Sequence, residues 1–65
     1  MQGNAMTQVD FVYIQYQLGS GSWATINSTR NDPQYISHAM RQAQAMLPGR
    51  RIRAIEKTGR LVDLL

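Results

Sequence analysis

The chain has no cysteine and a single histidine, and its longest unbroken apolar run, Phe11 to Ile14, is four residues. Each shortage removes a class of protein. Without cysteine there is no disulfide framework and no thiolate metal site, so packing alone, or packing with a partner chain, must hold the fold. The absence of cysteine also fits a reducing compartment, which points to a cytoplasmic protein. A run of four is far short of the roughly 20 apolar residues that span a bilayer, so no membrane partner is expected. One histidine and four scattered carboxylates do not make a metal site, and no cofactor is expected. The same shortage argues against Ser-His or Cys-His nucleophilic catalysis, and a chain this short rarely encloses a pocket of roughly 300 Å³ or more. The expectation is a protein that is not an enzyme.

What is present fits one small domain. The chain has 65 residues, 43% of them hydrophobic, and a formal net charge of +3. Residues 1–48 balance Arg30 and Arg41 against Asp10 and Asp32. Arg50, Arg51, Arg53, Lys57 and Arg60 then outweigh Glu56 and Asp63, so the last 17 residues carry the whole excess. Such asymmetry marks either an acidic or nucleic-acid partner or simply a well-solvated strand end.

Residues 1–7 are small and polar and are expected to form a disordered N-terminal tail, with residues 8–65 as the domain. Met6 offers a second candidate start. From Gln8 to Leu18 the chain is rich in β-branched and aromatic residues, and its second half alternates. Gly19-Ser20-Gly21-Ser22 is a turn signal, and Trp23 to Thr29 reads as the returning strand. Two registers are open. A two- or four-residue loop puts Trp23 on the face of Leu18. A three-residue loop, with Gly21 in the left-handed position, pairs Leu18 with Ser22. The second gathers Val12, Ile14, Tyr16, Leu18, Ala24 and Ile26 on one face and is preferred for that reason.

Asn31-Asp32-Pro33 opens a helix with Asp32 as its N-cap, because proline at the first helical position forfeits only an amide that would be unpaired anyway. Ile36, Ala39, Met40, Ala43, Met46 and Leu47 form its apolar stripe, and Leu47-Pro48-Gly49 ends it. Arg50 to Glu56 and Arg60 to Leu65 read as two further strands. A three-residue loop ending at Gly59 sets Glu56 opposite Arg60 and Arg53 opposite Asp63, and groups Ile52, Ala54, Val62 and Leu64.

The fold class that follows is α+β: a two-layer ββαββ unit with a mainly antiparallel four-stranded sheet and one helix packed on one face. Strand order 2-1-3-4 and strand order 1-2-3-4 both satisfy the pattern. One helix cannot cover both faces of four strands. Phe11, Tyr13, Trp23, Ile55, Leu61 and Leu65 are left on the far face beside Gln15, Gln17, Arg51 and Arg53, and apolar patches of that size mark interaction sites.

The function expected is a small protein-binding module that self-associates, most simply as a homodimer, or takes another protein through that face. The alternative is a nucleic-acid-binding module in which Arg50, Arg51, Arg53, Lys57 and Arg60 meet phosphates while aromatics stack on bases. A third reading adds a strand to a partner's sheet edge. His38 falls on the solvent side of the helix with no carboxylate three or four residues away, which reads as a surface residue. The Gly-Ser-Gly-Ser turn joins two strands and so lacks the strand-to-helix setting of a phosphate cradle.

Overall fold

The computed structural model describes residues 10–65; the tail expected over residues 1–7 and the strand start at Gln8 lie outside them. Strand β1 (Phe11–Gln17) turns back into β2 (Trp23–Arg30), helix α1 (Pro33–Met46) follows, and β3 (Ile52–Glu56) and β4 (Leu61–Leu64) close the sheet. The order across the sheet is β2-β1-β3-β4 with every neighbouring pair antiparallel, the first of the two orders expected.

Both hairpins have the three-residue turns their glycines imply. Leu18 N–H donates to the Ser22 carbonyl at 2.7 Å, with Gly21 at φ 96°. Glu56 N–H donates to the Arg60 carbonyl at 2.9 Å, with Gly59 at φ 97°. A side chain at either glycine would crowd its own backbone, which is why glycine occupies the left-handed position.

Asp32 caps the helix. Its carboxylate accepts from Gln34 N–H at 3.0 Å while its backbone stays extended, and Pro33 opens the first turn. Replacing Asp32 with Ala should cost about 1 kcal/mol of unfolding free energy, seen as a lower urea midpoint at unchanged slope; an unchanged midpoint would deny the cap its role.

The core lies between the helix and β1, β2 and β3. Val12, Ile14, Ile36, Ala39, Met40, Ala43, Ile52 and Ala54 are buried, and Tyr16 and Val62 pack against them. No polar or charged side chain among the described residues is buried. Of the expected apolar stripe, Met46 is 75% exposed, while Leu47 at the C-cap is half-buried.

Two β-bulges change the expected register. In β2 the register slips between Ile14 and Gln15: Gln15 faces Thr25 and Ile14 faces Asn27, so Ile26 is the extra residue. Ile26 is 37% exposed instead of lying in the core. In β4 the slip falls between Ala54 and Ile55, with Val62 the extra residue. Arg53 therefore faces Leu64, and Asp63 faces Ala54, in place of the Arg53–Asp63 pair expected. Leu64 moves to the far face, while Leu65 pairs with Ile52 through a 2.8 Å hydrogen bond from its N–H and joins the helix side. A bulge inserts one residue into the ladder, and every side chain beyond it changes face.

Candidate functional site: the open face of the sheet

Residues directly opposite one another in an antiparallel pair share a face, so the registers assemble the far side row by row. The row Ser28, Tyr13, Ile55 and Leu61 runs across all four strands. The next is Thr25, Gln15, Arg53 and Leu64. Trp23 lies opposite Gln17, whose N–H donates to the Arg51 carbonyl at 3.0 Å, and Phe11 lies opposite Arg30 at the other end.

Of the six far-face residues expected from the sequence, five are there. Tyr13, Trp23 and Ile55 are half-buried, and Phe11 and Leu61 are exposed at 51% and 52%. Leu65 is not among them, for the bulge reason above, and Leu64, 42% exposed, takes its place. Phe11, Tyr13, Ile55, Leu61 and Leu64 thus form an apolar band running obliquely across the sheet. It opens to solvent because α1 covers the opposite side.

The band is flanked by a fixed polar arrangement. Arg53 lies over the Trp23 ring with its guanidinium carbon 4.2 Å from the ring centroid. Its Nε donates to Gln15 Oε1 at 2.7 Å, and Gln15 Nε2 donates in turn to Thr25 Oγ1 at 2.9 Å. The chain Thr25–Gln15–Arg53–Trp23 holds three long or aromatic side chains and a threonine in one arrangement before any partner arrives. A stacked, hydrogen-bonded Arg has already lost much of the rotamer freedom that binding would otherwise cost it. Sequence grouping had set Arg53 and Trp23 on one face; the diagonal reach past Gln15 that stacks them carries no sequence signal.

The basic residues do not form one patch. Arg50, Arg51 and Arg53 stand at the start of β3, where Arg50 Nη1 donates to the Gln17 carbonyl at 3.1 Å and its guanidinium lies 5.9 Å from the Tyr16 ring centroid. Lys57 and Arg60 belong to the β3–β4 turn at the other end. Four residues of extended chain, about 13 Å, separate Arg53 from Lys57.

One outward amide on each sheet edge is occupied by the side chain of the preceding residue. On β2, Asn27 Oδ1 accepts from Ser28 N–H at 2.8 Å; on β4, Asp63 Oδ1 accepts from Leu64 N–H at 2.8 Å. In both strands the residues that bond the inner neighbour alternate with these two, so the capped amides point outward, where an added strand would dock.

A half-open cleft of about 510 Å³ lies at the Phe11 end of the face, lined by Asp10, Phe11, Tyr13, Asn31, Glu56, Lys57 and Thr58. Its walls include no histidine or cysteine. His38 is exposed on α1. Among the described residues no group of three or more potential ligands could hold a metal ion, and no helix is long and apolar enough to cross a membrane.

No protein-family model, curated protein or solved structure matches the chain.

Proposed function

We propose that the protein is a small, non-enzymatic, cytoplasmic protein-binding module that self-associates by packing the open faces of two sheets together. The observation that carries this reading is the oblique band of Phe11, Tyr13, Ile55, Leu61 and Leu64, flanked by the Arg53–Trp23 stack. Aromatics and arginine around an aliphatic centre are the residues that dominate protein interfaces. A second copy is the favoured occupant because the same face on both partners satisfies a two-fold axis without further surface. The single amide occupied on each edge works against strand addition at that point.

The area sets the strength. Four strands about 4.8 Å apart and seven residues at about 3.4 Å each span roughly 450 Å² in plan. Two such faces bury on the order of 900 Å² in total, at the small end of specific interfaces. The dimer is therefore weak and dissociates on dilution. Sedimentation equilibrium should show the mass rising from monomer toward dimer over the micromolar to high micromolar range. A monomer at every concentration would reject the reading. The nucleic-acid alternative predicts instead a monomer that binds a short single-stranded oligonucleotide at low salt and releases it as salt rises. The separation of Arg50, Arg51 and Arg53 from Lys57 and Arg60 weighs against it.

A further inference from the structure

We infer that the open face also takes an acidic, amphipathic segment of another protein, in competition with the second copy. The inference rests on that face being an interface, as proposed above, and supplies the chemistry of a second occupant. What carries it is how the sheet sorts its charges. The chain has four carboxylates, and none stands in the rows of the open face. Asp32 caps α1. Glu56 lies opposite the buried Val12 and Asp63 opposite the buried Ala54, both on the helix side. Asp10 precedes β1 and, with Glu56, lines the cleft at the Phe11 end.

The arginines fall the other way. Arg51 and Arg53 alternate with the buried Ile52 and Ala54, so both stand on the open face. Lys57 lines the cleft beside Phe11 and Tyr13. The apolar band thus runs with two arginines along one side and a lysine at the other. Two faces of the same sign repel when packed together, which weakens the dimer further. A partner that places carboxylates beside its apolar residues escapes that repulsion and gains complementarity instead.

The band also sets the partner's size. From Phe11 on β1 to Leu64 on β4 it crosses two strand spacings and four residues of rise, a diagonal of about 17 Å. A helix of about 11 residues covers that length. Its leucines at three- and four-residue spacing would lie along the band, with glutamates on the flank reaching Arg51 and Arg53. Single-stranded nucleic acid fits this surface less well. Ile55, Leu61 and Leu64 offer no ring for a base to stack on, and the Arg53 guanidinium already covers Trp23 at 4.2 Å.

The probe is a fluorescently labelled peptide of about 15 residues, with leucines at helical spacing and glutamates on the flanks. Anisotropy should show saturable binding to the wild-type chain, at least tenfold weaker in Arg51→Glu and lost in Leu61→Glu. The same peptide with lysine in place of glutamate should not bind. Salt distinguishes the two occupants, because screening strengthens a dimer of like-charged faces and weakens the peptide complex. If the glutamate peptide fails to bind, if the lysine peptide binds equally well, or if Arg51→Glu changes nothing, the inference falls while face packing stands. An oligothymidylate that binds more tightly than the peptide would overturn it in favour of nucleic acid. A wild-type chain that is monomeric at every concentration yet binds the glutamate peptide would reject face packing and uphold the inference.

Discussion

Replacing Ile14 with Ala should remove about 2–5 kcal/mol, a large share of the protein's unfolding free energy. Ile14 is fully buried in the central strand β1, between Asn27 on β2 and Ala54 on β3, and belongs to the cluster with Met40, Val12 and Ile52. Truncating a buried isoleucine costs about 2–5 kcal/mol, from the lost transfer energy and from the cavity left where neighbours cannot collapse. A domain of this length has on the order of 3–10 kcal/mol in all. Neither a disulfide nor, among the described residues, a metal site supplements it. The matched control is Ile26→Ala. Ile26 occupies the β2 bulge and is 37% exposed, so its truncation should cost less than about 1 kcal/mol. Urea unfolding followed by circular dichroism measures both. Equal losses at the two positions would contradict the bulge, because an unbroken ladder places Ile26 in the core.

Replacing Leu61 with Glu should abolish self-association and leave the monomer's stability within about 0.5 kcal/mol of the parent. Leu61 ends the row that Tyr13 and Ile55 begin, and half of it already meets water, so a charge there is tolerated in the free chain. In a sheet-on-sheet dimer the same carboxylate must leave water without a partner, which costs several kcal/mol. Each 1.4 kcal/mol is a factor of ten in affinity. The dissociation constant should therefore weaken by at least a hundredfold, enough to leave only monomer by light scattering. Leu18→Glu is the control: Leu18 is also partly exposed but pairs with Ser22 at the hairpin tip, away from the open face, and should leave the mass unchanged. If both variants dissociate alike, the interface lies elsewhere.

Much of this arrangement was legible in the residues themselves. The turn glycines fixed both hairpin loops, because a left-handed residue in a three-residue loop determines which positions face each other, and Gly21 and Gly59 stand where that geometry needs them. Asp32-Pro33 marked the helix start, and the surplus of large residues over one helix's cover pointed to an open face. The bulges were not legible. Ile26 and Val62 are β-branched residues inside otherwise regular strands, and nothing in their chemistry distinguishes a paired position from an extra one. The whole exchange of Leu64 for Leu65 on the candidate site follows from the second of these slips. The helix stripe overran at Met46, which has the right spacing yet is 75% exposed, while Leu47 beside it is half-buried.

The strand order has a consequence for how the chain is made. Among the described strands β1 emerges first during synthesis, and it is one of the two inner strands of the finished sheet. Its hairpin with β2 forms at once, but its other edge stays open until β3 appears about 35 residues later. At roughly 5–20 residues per second, that is an interval of a few seconds. Throughout it, an unprotected strand carrying Val12, Ile14 and Tyr16 faces a crowded polysome on which neighbouring nascent chains expose the same strand. Neither of the capped amides is on that edge: Asn27 caps Ser28 on β2, and Asp63 belongs to a strand not yet made. The period of greatest danger for this protein therefore falls during translation.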